Sequence, residues 1–265
     1  MPSASRIQRS PSTGPSLEVL SWSTSESTGG TPLLFVHGLG HGAWCWQHWM
    51  AAAAAAGHPS YAVSLRGHAG SAGTLRGARL AHYVEDVIDV ARTLPSRPVL
   101  VGHSMGGLVV QQAMARYRAR AGVLVASIGH RPAVGSMLSV ARQHPVDAAK
   151  MVAGRTLPMR REYLFERLTD VEAAPFLAQC GAESPIAQHQ LVFHRAPVRP
   201  LGAAPMLVLG TPQDVLVPIA DLRRTAERYA APLLEFPGMG HNLMLDHGWE
   251  QPLAAMLDWI ARPKT

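Results

Sequence analysis

Apolar and polar positions along this 265-residue chain fall into blocks whose period changes, and the blocks predict strands and helices in alternation. Short, mostly apolar runs at 32–36, 61–65, 99–102, 122–127, 205–209 and 233–236 predict strands, and those at 99–102 and 122–127 read as buried on both faces, the pattern of a parallel sheet. An earlier run, 17–23, is joined to 32–36 by a Ser/Thr/Gly-rich stretch, which predicts a leading antiparallel pair. Helical periods occupy 43–56, 79–94, 108–117, 219–229 and 249–261. In the second of these, Leu80, Tyr83, Val84, Val87, Ile88 and Ala91 share a face, so Glu85, Asp86 and Asp89 are expected on a solvated one. Trp44, Trp46 and Trp49 are expected to pack their helix onto the sheet.

The alternation breaks between 131 and 200, where short helical pieces are interrupted at His144-Pro145, Leu157-Pro158, Ala174-Pro175 and Ser184-Pro185. The segment is rich in methionine and aromatic residues and predicts an inserted helical cap whose side chains line an apolar pocket. The expected organisation is a disordered Ser/Pro-rich tail (1–16), a first part of the core (17–130), the cap (131–200) and the last part of the core (201–265).

Composition narrows the function classes. The chain is 47% hydrophobic and 16% charged, which suits one globular domain with a large core. A formal net charge of +6 comes from scattered arginines with no aromatic interleaving, so a solvated basic surface is expected and not a nucleic-acid stripe. Lys150 and Lys264 are the only lysines, which excludes most lysine-based catalysis. Cys45 and Cys180 form no Cys-x-x-Cys and are expected as free thiols in a reducing, cytoplasmic setting. No run approaches the ~20 apolar residues of a membrane span, and the start lacks the apolar core of a secretory signal. The oligomeric state is not legible.

The candidate chemistry begins at Gly102-His103-Ser104-Met105-Gly106, an apolar strand ending in a Gly-x-Ser-x-Gly before a helical period. Glycines two before and two after the serine remove the β-carbons that would collide in a sharp strand-to-helix corner. The Met105 amide at that helix start is placed to meet an oxyanion. After the 32–36 strand comes His37-Gly38-Leu39-Gly40-His41-Gly42, and the Leu39 amide is the expected second donor. Asp214 lies just past the 205–209 strand, where an acid can orient a histidine; Asp221, inside the following helix, is its nearest rival. Among 13 histidines, His241 is selected by its Gly-rich loop after the last strand and by the order Ser104, Asp214, His241. His37, His41 and His68 are expected to shape the pocket rim. No His-x-x-x-His with a third ligand is present, which argues against a metal site.

Jointly these motifs resemble the α/β-hydrolase superfamily from about Leu17 to the end. Arg66-Gly67-His68-Ala69-Gly70-Ser71 looks like the family's Arg-Gly-His-Gly-x-Ser loop, with Ala69 in place of a glycine. The run His41-Gly42-Ala43-Trp44-Cys45-Trp46 is similar to plant methylesterase and hydroxynitrile-lyase relatives, although those lyases carry a lysine where this chain has Asn242. A serine at the elbow departs from dehalogenases and epoxide hydrolases, which use aspartate. The resemblance implies an α/β fold, a mostly parallel sheet with helices on both faces and a cap. It further implies Ser104 as nucleophile, His241 as base, Asp214 as its partner, and Leu39 and Met105 as oxyanion donors, with no cofactor. The expected reaction is hydrolysis of small apolar carboxylic esters through an acyl-enzyme. Lactones, thioesters, amides and carbon–carbon bonds beside a ketone need the same parts, and a lyase, synthase or receptor would reuse the pocket.

Overall fold

The computed structural model describes residues 5–9, 14–24 and 29–262. Eight strands, β1 (Ser5–Arg9), β2 (Leu17–Trp22), β3 (Leu33–Val36), β4 (Ser60–Val63), β5 (Val99–His103), β6 (Ala121–Val125), β7 (Met206–Gly210) and β8 (Leu233–Glu235), form one sheet. Their order is β1-β2-β4-β3-β5-β6-β7-β8, antiparallel at β1–β2–β4 and parallel from β4 onward. β3, β5, β6 and β7 are buried along their whole length, which is why they read as unbroken apolar runs.

The helices are α1 (Gln47–Ala55), α2 (Leu80–Arg92), α3 (Met105–Met114), α4 (Val134–Gln143), α5 (Pro145–Val152), α6 (Arg161–Leu164), α7 (Asp170–Leu177), α8 (Pro185–Phe193), α9 (Ile219–Tyr229) and α10 (Glu250–Ala261). On one face α2 packs on α3, and Tyr229 of α9 donates its hydroxyl to Gln111 of α3 at 3.2 Å. On the other, α1 packs against α10. A 3-10 turn, Ala43–Trp46, leads into α1, and fully buried Trp46 and Trp49 seat that helix, while Trp44 is half-buried and stacked on His41. Five α-helices, α4 to α8, a 3-10 turn at Leu201–Ala203 and no strand separate the adjacent strands β6 and β7.

Three expectations are corrected. Within the 1–16 tail, Ser5–Arg9 form the edge strand β1, anchored where Arg6 pairs with the buried carboxylate of Glu18; the strand carries one apolar residue, Ile7, so no hydrophobic pattern announces it. Residues 1–4 and 10–13 of that tail lie outside the described residues. β2 does not pair with β3: β4 comes between them, antiparallel to β2 and parallel to β3. Asp86 is buried, 1% exposed, and takes the Arg66 guanidinium on both oxygens and the Arg66 N–H on Oδ2. A period of 3.6 places a residue on a face, and an arginine from a loop covers this part of that face.

Candidate active site

The parallel strands deliver the expected site residues to one edge of the sheet. The 37–42 loop follows β3, Ser104 follows β5, Asp214 follows β7 and His241 follows β8, each at a carboxyl end.

Ser104 sits between β5 and α3 with φ 53° and ψ −120°, a conformation an L-residue rarely adopts. Among the described residues the other non-glycine positions with positive φ are all alanines, Ala69 among them at 44°, where the family loop has glycine. The corner is held by Ser104 N–H donating to Val125 O (3.0 Å) and Ser104 O accepting from Gly107 (3.0 Å) and Ile128 (3.1 Å). A Cβ at Gly106 would lie 2.4 Å from His37 O and 2.5 Å from Val36 O, so the elbow presses directly on β3 and the loop after it. On the other side, a Cβ at Gly38 would lie 2.9 Å from the Ser104 Cβ. Among the hydrogen bonds of the described residues, none uses the Leu39 or Met105 N–H as donor. Met105 opens α3, so its amide has no intrahelical partner.

His241 and Asp214 are buried, and His241 Nδ1–H donates to Asp214 Oδ2 at 2.7 Å. The other carboxylate oxygen accepts from the Leu216 (2.8 Å) and Val217 (2.9 Å) amides, so Asp214 shapes its own turn as well as facing the ring. Asp221, the rival acid, pairs with Arg224 on α9 instead. His103, next to Ser104, donates from Nε2 to the His241 carbonyl at 3.1 Å and its ring lies 4.6 Å from that of His241. Burial, with His241 and His41 nearby, pushes His103 well below the usual histidine range, so it serves as a neutral donor. The His241 loop is clasped from behind by buried Asp246, which accepts from Gly240 (2.7 Å), Glu166 (3.0 Å) and Arg167 (3.1 Å).

His37, His41 and His68 are buried, not at a rim. His37 donates from Nδ1 to Gly38 O (2.8 Å) and accepts the Leu65 N–H on Nε2 (3.0 Å), which joins β3 to the chain leaving β4. His41 donates from Nδ1 to Leu39 O (2.7 Å) and accepts from the Asn242 amide on Nε2 (3.1 Å). Sequence reasoning missed Glu183 altogether. It is 4% exposed, lies between α7 and α8, and accepts from Tyr83, His68, Ser184 and Gly40. An acid beside a Ser-Pro helix start carries no sequence signal of such contacts.

A cavity of about 60 Å³ opens at Ser104, walled by Leu39, Ile128, Leu216 and Val217 from the sheet side and by Ala133, Met137, Val140, Met151, Leu157, Gln188 and Leu191 from the segment between β6 and β7. A larger cavity, about 450 Å³, is lined by Arg97, Arg118 and Arg120 at the opposite, amino edge of the sheet, away from the chemistry. Cys45 and Cys180 are free thiols. Among the described residues no group of three or more His, Cys, Asp or Glu is arranged to hold a metal ion, and no helix is long and apolar enough to cross a membrane.

The family model described as "Alpha/beta hydrolase family" matches residues 33–259. The chain belongs to the alpha/beta hydrolase family. It is 40% identical over 117 residues to "Probable esterase PIR7A" of Oryza sativa subsp. indica, covering 42% of this chain and 44% of that protein. It is 38% identical over 93 residues to "Methylesterase 10" of Arabidopsis thaliana, covering 34% of each. The matched stretches thus span less than half the length of these relatives. An esterase from Exiguobacterium antarcticum superposes with a TM-score of 0.72 over 98% of this chain and 100% of its own, at 15% identity, which is a likeness of fold. The eight-stranded, mostly parallel sheet with helices on both faces is the architecture of this alpha/beta hydrolase.

Proposed function

We infer that this alpha/beta hydrolase cleaves small apolar carboxylic esters, with Ser104 as nucleophile, His241 as general base, Asp214 as the acid that orients it, and the Leu39 and Met105 N–H groups as oxyanion donors. The observation that carries this reading is the buried 2.7 Å bond between His241 and Asp214, on loops that meet the strained Ser104 corner at the same sheet edge. With Nδ1–H committed to Asp214, the imidazole keeps Nε2 free as a base. Nε2 takes the Ser104 proton as Oγ attacks the ester carbonyl, and the carbonyl electrons move onto the oxygen facing the two amides. Collapse breaks the carbon–oxygen bond to the alcohol, which leaves with the proton from His241. Water, deprotonated by the same nitrogen, then attacks the acyl-enzyme and releases the acid. No step draws on a cofactor. The small cavity walled by Leu39, Val140, Leu157, Leu191 and Val217 favours a short apolar group, and the relatives named as esterases favour an ester over an amide. The helices α4 to α8 act in this reading as the cap that encloses it, and the free thiols Cys45 and Cys180 fit a reducing, cytoplasmic setting.

Hydrolysis of p-nitrophenyl acetate and covalent labelling by a fluorophosphonate test the reading. Wild type is expected to turn over the ester and to carry the label on Ser104. Ser104→Ala is expected to lose both while keeping its circular dichroism spectrum. A variant still labelled on another residue, with turnover intact, would move the nucleophile elsewhere.

A further inference from the structure

Glu183 is a buried carboxylate that takes no part in the steps just described, and its four hydrogen bonds divide into two sets. On Oε1 it accepts from the Tyr83 hydroxyl and the Ser184 amide, both at 2.7 Å; on Oε2 it accepts from His68 Nε2 at 3.0 Å and from the Gly40 amide at 3.3 Å. His68 directs its other nitrogen to the Arg66 carbonyl at 3.2 Å, so both ring nitrogens face backbone or carboxylate oxygens. Burial works to raise the Glu183 carboxyl, but the bond and charge of His68, with Tyr83 and the Ser184 amide, outweigh it and hold the group below the usual carboxylate range.

The Gly40 amide is half of the Leu39–Gly40 peptide. The other half, the Leu39 carbonyl, is gripped from the opposite side by His41 Nδ1–H at 2.7 Å, and His41 is itself held by Asn242, next to His241. This peptide is the central one of a turn closed by His41 N–H on Gly38 O at 3.3 Å, with Gly40 at φ +64°. The Leu39 N–H belongs to the preceding peptide, Gly38–Leu39, of the same turn. Gly40 O in turn accepts from Gly181 at 2.7 Å, so residues 181–183 hold the loop at two points.

We propose that Glu183 is a positioning residue: from the segment between α7 and α8 it grips the Gly40 N–H and, with His41 on the other side of the same peptide, holds the 38–41 turn in place, so that the Leu39 N–H on the adjoining Gly38–Leu39 peptide stays aimed at the oxyanion. The proposal rests on the reading of Ser104 and Leu39 given above. Its physical basis is the acceptor count. A carboxylate offers two accepting oxygens to four donors, whereas a glutamine offers one oxygen and points N–H groups either at Gly40 and His68 or at Tyr83 and Ser184.

The test compares wild type, Glu183→Gln and His41→Phe in p-nitrophenyl acetate hydrolysis, with active sites counted by fluorophosphonate labelling, and in binding of a trifluoromethyl ketone that forms a tetrahedral oxyanion adduct on serine. Loss of one oxyanion donor costs about 10²–10³-fold, and a misplaced one part of that, so Glu183→Gln is expected to lower kcat per labelled site ~10–100-fold with KM within ~3-fold. Affinity for the ketone is expected to fall by the same factor as kcat/KM. His41→Phe frees the carbonyl side of the same peptide while keeping a ring against Trp44, and is expected to give a loss of the same kind should Glu183→Gln not fold. Tyr83→Phe removes a buried bond to the same carboxylate but leaves the Gly40 contact, so it is expected to lower Tm while kcat stays within ~3-fold. Folded Glu183→Gln or His41→Phe with kcat and ketone affinity unchanged would overturn the proposal, as would a Tyr83→Phe loss of kcat equal to that of Glu183→Gln. Failure of wild type to label on Ser104 would instead overturn the underlying reading.

Discussion

Asp214 divides its two oxygens between the turn it sits in and the ring of His241. In Asp214→Asn the amide oxygen is retained by the Leu216 and Val217 N–H groups, which leaves an NH2 facing Nδ1 and favours the tautomer whose Nε2 is already protonated. The expected result is a loss of about 10⁴-fold in kcat with KM little changed, read from ester hydrolysis; retention of a tenth of the activity would give the role to another acid. A second residue-scale consequence concerns acid stability. His41 is pushed down to about 4, by burial first and then by His241 and His68, against 6.5 when exposed, and burial shifts His37 and His103 the same way. Between those two pH values the unfolded chain binds the His41 proton and the folded protein does not, so stability is full above about pH 6.5 and falls as pH drops toward 4. At pH 5 His41 alone accounts for about 2 kcal/mol of that loss. Urea denaturation at pH 7.5 and pH 5 measures it, and a transition midpoint equal at both would refute it.

At the scale of elements, the elbow works because β5 and α3 meet with no β-carbon in the corner. Gly106→Ala would drive a methyl into the carbonyl oxygens of Val36 and His37, which are backbone and cannot rotate away. The variant is expected to lose about 2–3 kcal/mol of stability by chemical denaturation; a loss under about 0.5 kcal/mol would mean the corner relaxes. This element was legible in the sequence, because an apolar strand, a Gly-x-Ser-x-Gly and a helical period each carry a local signal. The apolar runs of β3 to β8 were legible for the same reason, although β8 at the sheet edge is only half-buried. What escaped was whatever depends on a distant partner. β1 is an edge strand with little apolar content, stabilised by pairing with β2 and by Arg6 on Glu18. Asp86 is polar by sequence and buried because Arg66 meets it. His37 and His41 read as rim residues because their backbone acceptors are invisible before folding, and Glu183 contacts Tyr83 across 100 positions of chain.

For the whole molecule, the segment between β6 and β7 is stitched to the core at two loops the proposed reaction uses, through Glu183 and Gly181 on Gly40 and through Glu166 and Arg167 on Asp246 behind His241. The same segment supplies Met137, Val140, Leu157 and Leu191 to the cavity at Ser104, so ester preference is expected to follow these side chains. Leu157→Ala should shift the kcat/KM profile toward longer acyl chains by ~1–3 kcal/mol per methylene, with Ser104 labelling by a small fluorophosphonate nearly unchanged. An identical profile across acetate, butyrate and octanoate esters would place selection in the core loops. The insertion of α4 to α8 between two neighbouring strands also sets an order of assembly. A chain emerging from the ribosome amino end first can pair β1 through β6 while β7, β8, Asp214 and His241 are still unmade. Closing the β6–β7 contact waits for the whole insertion, a long loop with its entropy of closure. Until then β6 is an open strand edge, and in the proposed reading Ser104 has no base beside it, so a prematurely released chain is expected to be adhesive and inactive.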